Sequence, residues 1–373
     1  MKFTRIITFS IISALSIGTL VGVAEVNKAP IDRKFTIKDE KGNREALGGV
    51  TLQNTIKVDT NKYEKMALTK DKVTFQKTKY DPIFGVGEKV LNNKDLYRGM
   101  NYAVDYENDK FTMVAKFNPK FPYGSNETFV TIAKKDKKTN NLQKEQISVT
   151  GITTNQQIDQ EMLFENNGVM YYGVVLRNWS ANSSQSLLRI YQIQQNNLHL
   201  KEVTNVELSL PGSDYTDISR IVVDEKKLFM VLSNQQAFKL LTVDFATNKS
   251  EKLTLPMFSK DNTYVEAFSV DENNFYISVN STVFAIDKKT YLQVNKEAMK
   301  PSFLSNYEYI RTVNLKTDKE TIYVLYEAYK NNNQGDMFIV AYEMKSGKTL
   351  YEGKLPSMTD RGVGESFTFA DKE

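Results

Sequence analysis

His199 is the only imidazole in the 373 residues, and there is no cysteine. Thiolate nucleophiles, disulfides, lipid-modified cysteines and thiolate metal sites are therefore excluded, and a histidine-rich metal centre is impossible. A Ser-His-Asp triad would have to use His199, yet no Gly-x-Ser-x-Gly turn is present to expose the serine. His199 alternates with Leu198 and Leu200 and reads as a solvent-facing residue of a strand. Oxygen-only cation loops need acidic residues at alternate positions followed by a glycine and a glutamate, and no such run occurs. Asp224-Glu225 and Asp271-Glu272 read instead as turn formers, whose carboxylates bond to backbone amides. The pairs Gly85-Val86-Gly87 and Gly362-Val363-Gly364 lack a third glycine and a following helix, so they read as loops needing positive φ and not as phosphate cradles. No cofactor or metal is expected. Two carboxylates brought together from different parts of the chain, as glycoside cleavage requires, stay open as a possibility with no pair to nominate.

Aromatic side chains beside polar loops are the remaining lead. Tyr171-Tyr172, Trp179 and Tyr307-Glu308-Tyr309-Ile310-Arg311 place large amphipathic rings near polar residues. Exposed rings of this kind stack on sugars or anchor a partner, whereas most of the 20 Tyr and 21 Phe are needed for the core. Trp179 sits among small and polar neighbours from Asn178 to Ser184 and reads as part of a long loop. The candidate ligand- or partner-binding residues are Trp179, Tyr307, Tyr309 and Arg311.

Residues 1–24 specify where such a surface would work. Lys2 and Arg5 precede a run without charge from Ile6 to Ala24, an arrangement that holds the N-terminus in the cytoplasm and sends the rest of the chain across the membrane. Two outcomes stay open: cleavage after Gly22-Val23-Ala24, or retention of a segment near the roughly 20 residues of a spanning helix as an anchor. Residues 25–33 read as a linker and 34–373 as the folded domain. The formal charge is +4; removing Lys2 and Arg5 from the 49 basic residues leaves 47 against 45 acidic. That near-neutrality, and a Lys134-Lys135-Asp136-Lys137-Lys138 run that reads as a solvated hairpin turn, point away from nucleic acid.

Beyond residue 30 the chain alternates short runs of Val, Ile, Phe, Tyr and Thr with compact polar turns, such as Asn166-Asn167-Gly168 and Lys345-Ser346-Gly347-Lys348. This is an all-β pattern. Strand-turn-strand units recur at Ala67–Phe75, Val104–Met113, Leu163–Tyr171, Ile221–Met230, Phe268–Ile277 and Val313–Tyr323, and third strands come after them at Ala237–Asn248, Val283–Thr290 and Phe338–Gly347. A seventh unit, Glu365–Glu373, stops before its second strand. The predicted fold is a β-propeller of about seven four-stranded antiparallel blades, closed by N-terminal strands within Lys34–Tyr63 completing the blade that the C-terminal strand begins. The pattern hydrophobic-Val-Asp-x-x-x-hydrophobic-Tyr-Ile, closest at residues 269–277, resembles WD40-like and quinoprotein-like bacterial propeller repeats, although the Gly-His and Trp-Asp pairs of WD40 repeats are missing. That resemblance implies a shape and no activity. The expected function is an extracytoplasmic, non-enzymatic binding or sensing module for a partner protein or an envelope polymer. A propeller hydrolase or lyase, and a structural subunit of a membrane complex, are the alternatives.

Overall fold

The computed structural model describes residues 35–370 except 60–61, 84, 101, 120–127, 151–155, 181–182, 212–215, 225–226, 235, 246, 256–257, 259–264, 331–334 and 358–366. The leader and linker expected at 1–33, and Gly362-Val363-Gly364, lie outside the described residues. No helix among the described residues is long and apolar enough to cross a membrane.

The described residues from Ile37 onward form one compact unit, a β-propeller of six blades. Blades 2 and 3 are regular four-stranded meanders: Val104–Glu107, Phe111–Pro119, Thr128–Asp136 and Leu142–Val149, then Gln156–Asn166, Val169–Ser180, Ser183–Ile193 and Leu200–Glu207. Blade 4 splits its first strand into Asp217–Ile218 and Val222–Asp224, both paired with Lys227–Ser233, and continues through Phe238–Asp244 and Lys249–Thr254. First strands of neighbouring blades approach one another, as Val104–Glu107 does Gln156–Asn166, which places them around the ring axis.

Each sheet is covered on both faces by its neighbours, so inner strands are apolar throughout: every residue of Asn274–Val279 is buried, as is all of Lys227–Ser233 after Lys227. Alternate residues of one strand serve opposite neighbours. Leu228 and Met230 pack on blade 3 with Val175 and Leu188, while Phe229 and Val231 pack on the following blade with Phe275 and Ile277. Outermost strands meet water and turn polar, as in Lys249–Thr254.

The turns carry the repeat. Asp136 and Asp287 each end a third strand, and the Oδ1 atom of each accepts two backbone amides and a threonine hydroxyl, from residues 138–139 and 289–290. Asn140 and Tyr291 then take positive φ at the same place, and both amides return to the aspartate carbonyl at 2.9 Å. Asp271 likewise accepts the amides of Asn273 and Asn274, which bears out its reading as a turn former.

Six blades replace the expected seven because two predicted units are one. The turn near Asp71 joins the third and fourth strands of blade 1, Lys62–Leu68 and Val73–Thr78, and not a first strand to a second. The first strand of that blade is the C-terminal Thr368–Phe369, which pairs with Leu52–Asp59 through Leu52 with Phe369 and Gln53 with Thr368. Counting the truncated C-terminal unit apart from the Ala67–Phe75 unit therefore counted one blade twice. The shared blade itself is as expected.

A second interlock was not foreseen. Among the described residues the earliest strand begins at Lys38, and Lys38–Gly42 runs antiparallel along Thr349–Lys354 as a fifth, outermost strand of blade 6, beyond Tyr309–Asp318, Thr321–Tyr329 and Asp336–Glu343. Among the described residues blade 5 has three regular strands, Val265–Val270, Asn274–Val279 and Thr282–Asp287; the chain after it touches the sheet through isolated bridges at Gln293 and Met299. Between blades 1 and 2, a short hairpin and the helices Glu88–Asn92 and Lys94–Tyr97 cover blade 2, with Leu96 and Met100 packed on Val114 and Ala133. A helix thus does follow Gly87, contrary to the sequence reading, but it spans five residues. Gly85 has the positive φ expected of it.

Candidate functional site

A five-stranded blade beside a three-stranded one cannot be covered evenly. The outer half of the blade 6 face that looks toward blade 5 is left to the connection around residues 300–308, and a cleft of about 500 Å³ opens there. One register row crosses this face: Thr312, Tyr326, Phe338, Lys354 and Lys38, each directly opposite the next on adjacent strands. Phe303, from the connection, stacks on Phe338 with ring centroids 4.0 Å apart, and Tyr307 meets both rings edge-on at 6.1 and 5.6 Å.

Polar pins hold the connection in place. Glu352, 1% exposed, accepts the Ser302 amide at 2.7 Å and the Ser302 hydroxyl. Tyr307 donates its hydroxyl to Asp336 at 2.8 Å. Burial, reinforced by that hydrogen bond, holds the Tyr307 hydroxyl well above its ordinary pKa, so it stays a donor. Lys354 pairs with Asp336 at 2.6 Å and Lys38 with Glu40 at 2.8 Å. Lys330 places its ammonium 4.8 Å from the centre of the Tyr307 ring. Four lysines (Lys38, Lys41, Lys330, Lys354) stand against two glutamates, Glu40 and Glu352, in the lining.

Of the residues singled out in the sequence, Tyr307 lies in this cleft. Tyr309 and Arg311 belong to the same end of blade 6 but share the opposite face of its sheet. There Tyr309, 54% exposed, lies beside Tyr329 with centroids 5.9 Å apart. Arg311 bonds through Nε to Glu327 at 2.7 Å, and that hydrogen bond raises its pKa further. Trp179 is on blade 3, in the Val169–Ser180 strand opposite Ser184, so the described residues of the segment expected to be a loop belong to paired strands. His199 is exposed, as expected, but it lies in the turn before Leu200–Glu207 and not within a strand. No three His, Asp or Glu side chains among the described residues are grouped to hold a metal ion. Lys38, Lys41, Lys330, Lys354, Ser302 and Glu352 were not singled out. Their one legible signal was the lack of a strand-like run between Thr290 and Tyr307, where blade 5 should have had its fourth strand.

Six radial antiparallel sheets with an interlocked seam define a β-propeller. Among solved structures the chain is similar to an apocarotenoid oxygenase of Synechocystis, with 8% identity over 91% of this chain and 97% of that one and a TM-score of 0.51. It is also similar to the periplasmic gluconolactonase of Pseudomonas aeruginosa (13% identity, 81% of each chain, TM-score 0.46) and the WD40 domain of Neurospora crassa Pan2 (10% identity, 67% of this chain and 65% of that one, TM-score 0.37). At such identities the likeness extends to the fold and no further. No family model matches the chain, and no curated protein matches it. The loose repeat pattern thus corresponds to a propeller without assigning it to a repeat family.

Proposed function

We propose that the chain is an extracytoplasmic, non-enzymatic binding module that holds a segment of bacterial envelope polymer in the blade 5/blade 6 cleft. The cleft carries this reading. Its volume is of the size used for small-ligand recognition, roughly 300–1,000 Å³, and its aromatic floor and polar lining suit a hydroxylated chain. The extracytoplasmic location is supported by Lys2, Arg5 and the uncharged run after them. A rigid scaffold that presents side chains from a connection and from strand ends is the usual way propellers and similar folds recognise partners.

The test is co-sedimentation of the purified protein with insoluble bacterial envelope. The wild-type protein is expected in the pellet, along with a Lys345→Ala variant, altered at an exposed pair elsewhere on blade 6. Asn306→Trp, which puts a bulky ring at an exposed position of the lining, is expected to stay in the supernatant. Equal sedimentation of all three, or of none, would overturn the reading.

A further inference from the structure

We infer that the cleft selects an acidic polymer, a hydroxylated chain bearing phosphate or carboxylate groups, and that Lys41 and Lys330 receive the negative charge. This rests on the binding-module reading and deepens it. The four lysines of the lining are not equivalent. Lys38 is engaged by Glu40, and Lys354 by Asp336. Lys41 and Lys330 are both exposed, and among the described residues neither has an ion-pair partner. They lie on opposite sides of the lining: Lys41 on the outermost strand of blade 6, Lys330 just after the Thr321–Tyr329 strand.

The acidic groups nearby do not cancel them. Glu40 and Asp336 already face ammonium groups, and the buried Glu352, held by the Ser302 amide and hydroxyl, sets one negative charge against the two unpaired ammonium groups. The unmatched charge that a ligand meets is therefore positive, and a concave wall of low dielectric strengthens its field. Lys330 is held over the Tyr307 ring, so less freedom is lost when it meets an anion. Ser302 and Asn306, exposed on the connection, supply hydrogen bonds for hydroxyl groups between successive charges.

One wall of this site is the outermost strand of blade 6, the second of the two interlocks. Lys38, Glu40 and Lys41 all come from Lys38–Gly42, so the site is complete only while that strand is docked on Thr349–Lys354.

The test measures binding of the purified protein to three probes by isothermal calorimetry: poly(glycerol phosphate), alginate oligomers, and neutral dextran. Binding to the phosphate polymer, the uronate polymer or both, without binding to dextran, is the expected result, and the arm that binds tells which anion is read. Raising NaCl from about 50 mM to about 500 mM should weaken that binding about tenfold. Lys41→Ala and Lys330→Ala should weaken it about threefold each and about tenfold together, while Lys345→Ala should not. Both lysines are exposed, so these variants keep the fold. Dextran binding as tightly as the acidic polymers, or acidic binding indifferent to both substitutions, overturns the charge assignment. If envelope co-sedimentation persists in that case, the binding-module reading survives alone. Failure of both assays removes both.

Discussion

Gly42 is the residue on which the seating of the outermost strand depends, and Gly42→Ala is expected to release that strand while the ring survives. Its φ is +81°, and an added Cβ would fall 2.0 Å from the Leu350 carbonyl oxygen and 2.8 Å from its carbon. The substitution has two costs. A side chain in left-handed backbone costs about 1–2 kcal/mol, and the contact forces Leu350 and Gly42 apart. Their separation endangers the hydrogen bond from the Asn43 amide to the Leu350 carbonyl, 3.2 Å long, and the ladder bonding that flanks the Gly42–Tyr351 register pair, at about 1 kcal/mol for each bond. The total is about 2–4 kcal/mol, and it falls on docking of one strand. All five residues of that strand are exposed and it has a partner on one edge only, so it opens without the rest. Amides of Lys38–Gly42 should then exchange hydrogen roughly 30- to 1,000-fold faster, at about 1.4 kcal/mol per decade, with the global urea midpoint nearly unchanged. Affinity for the acidic polymer should drop with the loss of that wall. Exchange within threefold of wild type would refute the reasoning about Gly42. A global midpoint lowered by the full amount would refute the claim that the strand opens alone.

Two further outcomes test the seams elsewhere. Glu161, with its side chain 6% exposed, takes the Phe117 amide and the Tyr172 hydroxyl on one oxygen, both at 2.6 Å, and Lys116 on the other at 3.1 Å, joining blade 2 to blade 3. Glu161→Ala strands two buried donors and should cost about 3–5 kcal/mol in urea denaturation, Glu161→Gln only about 1–2 kcal/mol because an acceptor remains; equal losses would contradict this account. Asp39 is held below its usual pKa by its hydrogen bond from Arg44 and then by that from Tyr351. Its contribution to docking is therefore complete above the unfolded value of about 3.9 and is lost as pH falls through the lower folded value. Amide shifts of Lys38–Gly42 should titrate with a midpoint below about 3.9, and those of Asp39→Asn should not.

Inner strands were legible because both of their faces are buried. Runs such as Leu228–Leu232 and Phe275–Val279 cannot be mistaken for surface segments, and the observed strands Lys227–Ser233 and Asn274–Val279 extend them by a residue or two. Third-strand turns were legible for a local reason: Asp136 and Asp287 satisfy their own turn amides, so residue type and geometry coincide. The blade count was not, since Ala67–Phe75 has the same strand-turn-strand pattern whether it is a first hairpin or a last one. Only the pairing of Leu52 with Phe369 decides which it is. Lys38–Gly42 was invisible in a different way. Its residues are all exposed and polar, so the strand exists through backbone pairing to Thr349–Lys354 and through Arg44 and Tyr351 on Asp39. Nothing in Lys-Asp-Glu-Lys-Gly itself favours a strand. The candidate site inherited that blindness. Tyr307 was visible as an aromatic in a polar loop, whereas Lys41 and Lys330 matter only because a fifth strand puts one of them on the same cleft as the other.

Closure and cleft are thus one structural event. A propeller needs its ends joined, and this chain joins them twice: the C-terminal strand enters blade 1 next to the axis, and the N-terminal strand enters blade 6 at the rim. The first join adds no width to the ring. The second widens blade 6 beyond anything that the three strands of blade 5 can cover. The connection at residues 300–308 covers part of the excess, pinned by Ser302 on Glu352, Phe303 on Phe338 and Tyr307 on Asp336. What it leaves uncovered is the cleft. A ligand lodged there would touch Lys41 on the closing strand and Lys330 on the blade that receives it, so occupancy and docking of the strand must favour each other.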